Sequence, residues 1–167
     1  ASNRIASRIN HAVVCYAVLK VSEAYLEPSL LRTHLDASLA RTGLEYIDLY
    51  QLHWASRAAL KTGKYPDRPV LEEVPLEATL AALDECRSAG KIRHIGVCNF
   101  GIEDLQRAVA TVVPIASNQV CYHLLWRGIE DEVVAFCQAH NIAILPWSPM
   151  GQGLLTGKYA TAEDVPA

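Results

Sequence analysis

A chain of 167 residues with 51% hydrophobic and 20% charged content is long enough for one domain with a real core, and too apolar to be disordered. Its net charge of −3 and isoelectric point near 6.1 leave no electrostatic case for nucleic acid or an anionic membrane. No apolar run approaches the roughly 20 residues of a spanning helix, and residues 1–11 lack the apolar h-region of a signal peptide.

Five cysteines (15, 86, 98, 121 and 137) are odd in number and form no C-x-x-C pair. That argues against a disulfide framework, expects no metal site, and favours a reducing, cytoplasmic compartment. In chain order, residues 12–20 predict a first strand ending in Lys20, with Val14, Tyr16, Val18 and Lys20 on one face. Pro28 suits the first turn of a helix carrying Leu31, Leu35 and Leu39, which Gly43 caps. Residues 46–53 then read as a second strand, apolar except for Asp48 and Gln51 and ending at His53. This β-α-β unit demands a parallel pair.

Residues 54–75 predict a long connection rich in Lys, Arg, Pro and Gly, either a binding loop or a solvated insertion. Leu76, Leu80, Leu83 and Cys86 mark the next helix, with Gly90 as its cap, and Ile92–Val97 a third strand. Ile102, Leu105, Val109 and Val112 mark a helix stopped by Pro114; Ile115–Tyr122 follows as a strand. Ile129, Val133 and Phe136 define a last helix with Glu130, Asp131 and Glu132 in its first turn, and Ile142–Pro146 a fifth strand. Strict alternation of five strands and four helices predicts an α/β fold with a parallel sheet. Spacing alone leaves an open doubly wound sheet and part of a (β/α)8 barrel both available.

Chemistry belongs at the carboxyl ends of such strands. His53 stands there, and imidazoles serve as acid, base or electrophile near neutral pH; it could equally bond a neighbouring backbone group. Lys20, on an otherwise apolar face, must find a partner or snorkel at the strand end. Cys98 and Asn99 follow the third strand and Gln119 sits in the fourth. Paired amides match a carboxamide ligand such as nicotinamide, although Asn99 also suits a helix N-cap. Trp147, Ser148, Met150, Gly151, Gln152 and Leu154 form the last candidate: a flat aromatic surface before a glycine-bearing loop that a phosphate could approach.

The segments SLARTGLEYIDLYQLHW, AGKIRHIGVCNF, SNQVCYHLLWRGIE and LPWSPMGQGLLTGKY resemble, in order and spacing, successive signatures of the aldo-keto reductase superfamily. The long loop after LHW and the WSP variant resemble the branch related to potassium-channel β subunits. The resemblance implies a parallel (β/α)8 TIM barrel, of which residues 1–167 would be an incomplete domain covering about strands three to seven. It also implies NADPH-dependent reduction of a small aldehyde or ketone. On that basis Lys20 and His53 hold two catalytic positions, the lysine tuning a proton-donor tyrosine and the histidine orienting the carbonyl. Asn99 and Gln119 hold the nicotinamide carboxamide of NADP(H), with Cys98 in the position of a cofactor-binding serine whose hydrogen bond it loses, Trp147 stacks on the ring, and Ser148, Met150, Gly151, Gln152 and Leu154 wrap the pyrophosphate.

Two departures qualify this. Cys98 replaces the usual serine, and the family's aspartate and tyrosine lie before the lysine strand, whereas the one tyrosine ahead of Lys20 here is Tyr16, within the strand itself. The segment taken alone is therefore expected to be inactive, with a catalytically silent nucleotide-binding or regulatory subunit as the alternative. Its open sheet edges would also favour self-association.

Overall fold

The computed structural model describes residues 17–55 and 74–165. Within them lie five strands: β1 (Val18–Val21), β2 (Ile47–Leu52), β3 (Ile92–Cys98), β4 (Ile115–Cys121) and β5 (Ala143–Trp147). Between them run α1 (Pro28–Thr42), α2 (Leu76–Ser88), α3 (Ile102–Ala110) and α4 (Val133–Ala139). Every strand pair is parallel, and the spatial order β1-β2-β3-β4-β5 repeats the chain order. A doubly wound sheet reverses its order at a switch point, whereas an arc of a (β/α)8 barrel advances one strand at a time. The sequential order is the barrel's.

Local chemistry accounts for the element ends. The Glu27 carboxylate accepts from the amides of Ser29 and Leu30, each at 3.0 Å, and Pro28 occupies the first turn where no amide donor is needed. Gly43 closes α1 at φ 68° and donates to the Leu39 carbonyl at 2.9 Å. Leu31 and Leu35 from α1 and Leu76, Leu80 and Leu83 from α2 pack against the outer face of the sheet, where Val21, Tyr50, Leu52, Ile95 and Val97 are buried. Fully burying each such side chain is worth about 1.5–3 kcal/mol, so this layer dominates the stability of the described fold.

Several expected boundaries move. The first strand covers Val18–Val21, residues 12–16 lying outside the described region, and Lys20 is exposed, its ammonium reaching Cys98. Among the described residues no helix covers its face of the sheet. The second strand closes at Leu52, although the His53 amide still donates to the Val21 carbonyl at 3.1 Å. Val112, expected on a helical stripe, lies beyond α3 at φ 57° and is 91% exposed. The acidic residues Glu130, Asp131 and Glu132 precede α4 instead of forming its first turn, because Glu130 is held by Tyr122 and Arg127. The fifth strand runs one residue further than expected, so Trp147 is its last member. The long connection falls outside the described residues, apart from its first and last members.

Alternation assigns each strand residue to a side. Val18, Lys20, Leu49, Gln51, His94, Gly96, Ser117, Gln119, Ala143, Leu145 and Trp147 lie on the inner face, opposite the helices. Asn118 faces outward and is fully buried. Its amide donates to the Phe100 carbonyl at 3.0 Å, and its oxygen accepts from the Phe100 amide at 3.4 Å. That clip fixes the turn after β3, which carries Asn99. Asn118→Ala leaves both buried backbone groups of Phe100 unpaired, and we expect a loss of about 2–4 kcal/mol in urea denaturation with faster amide exchange at Phe100.

Candidate active site

The carboxyl ends of the strands converge on Asn99. This residue sits at φ 60°, a conformation asparagine tolerates better than other side-chain-bearing residues. Its amide N–H donates to the Gln119 carbonyl of β4 at 2.9 Å. Its side-chain Nδ2 donates to the His53 carbonyl beyond β2 at 3.1 Å and to Cys98 Sγ at 3.3 Å. Its Oδ1 accepts from Trp147 Nε1 of β5 at 3.0 Å. The expected helix-capping role is absent: Gly101 is the N-cap of α3, and Asn99 instead joins three neighbouring strand ends.

Cys98 is 1% exposed and links this hub to β1, since Lys20 Nζ donates to its sulfur at 3.6 Å. His53 is half-buried beside Trp54, their ring centroids 5.9 Å apart. The structure therefore gathers Lys20, His53, Cys98, Asn99, Gln119 and Trp147 at one end of the sheet. Met150, Gln152 and Leu154 are exposed on the segment that follows, with Ser148 half-buried and Gly151 buried. That segment turns tightly through positive φ at Ser148, Gly151, Gln152 and Gly153. Cys121, His123, Trp126, Trp147, Gly151 and Leu154 are among the residues lining a cavity of about 580 Å³ beside it.

Two residues escape a reading by strand ends. Lys158 crosses the loop so closely that a Cβ built on Gly153 would stand 2.7 Å from its Nζ. This places a cation directly over a glycine of the phosphate-loop candidate. The lysine directly after Gly157 in LLTGKY was the available signal. Tyr50, one of the tyrosines close in sequence to His53, points to the helix side, and burial pushes its phenol up to about 12. It cannot face His53, because adjacent strand positions alternate.

The donor set suits a nicotinamide carboxamide. Asn99 Oδ1 keeps one lone pair beyond its bond from Trp147, and the half-buried Gln119 amide supplies both a donor and an acceptor. Trp147 leaves part of its ring uncovered, at 37% exposure, as a stacking surface. Among the described residues no group of His, Cys, Asp and Glu could hold a metal ion, and Cys86, Cys98, Cys121 and Cys137 carry free thiols.

Burial pushes the Cys98 thiol above its ordinary value, and the nearby Lys20 ammonium pulls the other way. The thiolate is thus scarce at neutral pH and grows as pH rises. Iodoacetamide labelling of Cys98, followed by peptide mass spectrometry, is expected to lag that of half-buried Cys121 at pH 7. Lys20→Met should push the onset of Cys98 labelling to higher pH, since it removes the charge that favours the thiolate.

Comparison with known proteins agrees with this geometry. Residues 5–167 match the Aldo/keto reductase family. The chain is 36% identical over 143 residues to aldo-keto reductase yakc [NADP(+)] of Schizosaccharomyces pombe, covering 84% of this chain and 37% of that protein. It is 35% identical over 132 residues to the NADH-specific methylglyoxal reductase of Escherichia coli, covering 79% and 36%. An aldo/keto reductase from Klebsiella pneumoniae, solved in complex with NADP and acetate, superposes with a TM-score of 0.67 at 32% identity, covering 84% of this chain and 45% of that one. The chain spans little more than a third of the length of these two curated relatives. Five sequential parallel strands, a hub of polar residues at their carboxyl ends and the family match together place this chain in the aldo/keto reductase family, as part of its barrel.

Proposed function

We propose that this chain carries the cofactor-facing half of an NADP(H)-dependent carbonyl reductase site. The observation behind the reading is the Asn99 hub, which brings Lys20, His53, Gln119 and Trp147 to one end of a parallel sheet. NADP(H), when bound, supplies the hydride that reduces an aldehyde or ketone carbon to the alcohol. Gln119 and the spare lone pair of Asn99 would hold the carboxamide, and the Trp147 ring would fix the plane of the nicotinamide. Cys98 would sit beneath them, bonded to Asn99. Ser148, Met150, Gly151, Gln152 and Leu154 would wrap the pyrophosphate, with Lys158 neutralising its charge.

His53 would orient the substrate carbonyl by donating a hydrogen bond to its oxygen. Lys20 would favour proton delivery to that oxygen by stabilising the anion of the donor left behind. The residues named here would hold and orient the reactants, and the proton donor would be a further group. The share of each relative's length that the chain covers agrees with a barrel whose remaining strands bring that group. The WSP sequence at Trp147–Pro149 supports a place in the branch related to potassium-channel β subunits. Scattered free thiols fit a reducing, cytoplasmic setting.

A second reading, a nucleotide-binding subunit without turnover, uses the same carboxamide and ring contacts. One experiment separates the two. NADPH fluorescence titration is expected to show binding in either case, weakened about three- to tenfold by Trp147→Ala through lost stacking. Loss of NADPH absorbance in the presence of small aldehydes supports the reductase, and His53→Ala should then lower kcat at least about 100-fold. In the full-length polypeptide that carries this sequence, binding without turnover on any aldehyde or ketone supports the silent subunit. Failure to bind either NADPH or NADH removes both.

A further inference from the structure

The inner face holds polar atoms that the site above does not use. Gln51 is 0% exposed, and among the described residues neither its Nε2 nor its Oε1 has a hydrogen-bond partner; Ser117 Oγ, in a residue 3% exposed, also has none there. Leaving such groups unpaired is costly, so a buried amide with both ends open is a strong sign of an unmet contact.

Geometry indicates what that contact is. Lys20 pairs with Gln51 across β1 and β2, and Gln51 pairs with Gly96 across β2 and β3. Lys20 Nζ nevertheless ends on Cys98, two residues past Gly96. Its stem must therefore cross β2 over the Gln51–His53 stretch. Gln51 leans the same way: a Cβ built on Gly96 would lie 2.9 Å from Gln51 Cγ, and 2.6 Å from Ser117 Oγ arriving from the other side. The missing side chain at position 96 is what lets both cover β3. The Lys20 ammonium and the Gln51 amide thus converge on the same stretch of β3, Gly96 to Cys98. The ammonium has three donors, and the one bond it makes among the described residues is to a thiol, a weak acceptor. Gln51 Oε1 is an unpaired, stronger acceptor in the layer directly beneath.

We infer that Gln51 is a positioning residue for Lys20: Nζ donates to one bound water, that water donates to Gln51 Oε1, and the ammonium is thereby held against Cys98 at the mouth of the site. Ser117 Oγ, across Gly96, provides the second anchor for that water. The amide acts on chemistry only through the lysine it holds.

The inference rests on the reading of Lys20 as a reductase lysine, and its test has an arm that does not need turnover. In the full-length polypeptide that carries this sequence, Lys20 acetylation by an N-hydroxysuccinimide ester is followed by peptide mass spectrometry, with Lys158 as internal reference. Gln51→Met should speed Lys20 labelling at least about threefold, because the amine loses its acceptor, while Gln51→Glu should slow it. Unchanged Lys20 labelling in both variants overturns the proposal, whether or not the protein turns over. In the carbonyl reduction assay, Gln51→Met should lower kcat about tenfold with KM and NADPH affinity within about twofold, and Gln51→Glu should restore much of it. Equal loss in Met and Glu variants, tracking a lower Tm, would show a merely structural glutamine and also overturn it. A wild-type protein without turnover removes the reductase reading and leaves the labelling arm to decide on Gln51. Should Gln51→Met fail to fold, Gln51→Asn, which withdraws the amide by one methylene, gives the same readout.

Discussion

The described half of the site depends on how one asparagine is held. Asn99 takes a left-handed backbone conformation, and its bonds reach Gln119, His53, Cys98 and Trp147. Holding a non-glycine residue there costs on the order of 1 kcal/mol. Three well-formed hydrogen bonds offset it, each worth about 0.5–1.5 kcal/mol net. Because those bonds run to β2, β4 and β5, the spacing of the strand ends and the aim of their side chains are set together. A turn that let Asn99 relax would release three strand ends at once.

The two faces of the sheet explain why chemistry collects where it does. Outward residues meet α1, α2 and α3 and are almost all apolar, giving the described fold its stability. Inward residues include Lys20, Gln51, His94, Ser117 and Gln119, an arrangement that would be expensive beneath helices. In a closed barrel these residues would face one another across a packed interior. The covered share of the relatives' length accords with an arc that leaves this interior open on one side.

Much of this was legible from residue patterns alone. Alternating strand and helix signals, with Gly43 and Gly90 closing helices, foretold the βα rhythm, because those signals are local. Strand limits were less legible: Lys20 was read as ending its strand, which runs on to Val21, and the choice between a partnered and a snorkelling amine stayed open because burial depends on layers the local pattern does not contain. Val112 looked like a helical position by spacing alone, but the helix had already closed at Ala110. The site residues were visible at strand ends, yet the reason for Asn99 was not, since its bonds join positions 46 and 48 residues away. Lys158 was passed over because its closeness to Gly153 comes from a loop doubling back, which no periodicity reports.

The pair Asn118–Gln119 shows how narrowly such a site is specified. Two adjacent carboxamides differ in length by one methylene, and strand alternation sends them to opposite faces. Asn118 spends both ends on the backbone of Phe100 and so fixes the turn that presents Asn99. Gln119 lends its backbone carbonyl to the Asn99 amide and keeps its side chain for the open face. A one-residue slip of β4 would put the longer amide against Phe100 and the shorter one in the site, undoing anchor and ligand contact together. The bulge between β3 and β4 at Ile95 and Gly96 is therefore more than an irregularity. It sets the register in which Ser117 closes over Gly96, Asn118 meets Phe100 and Gln119 stands beside Cys98.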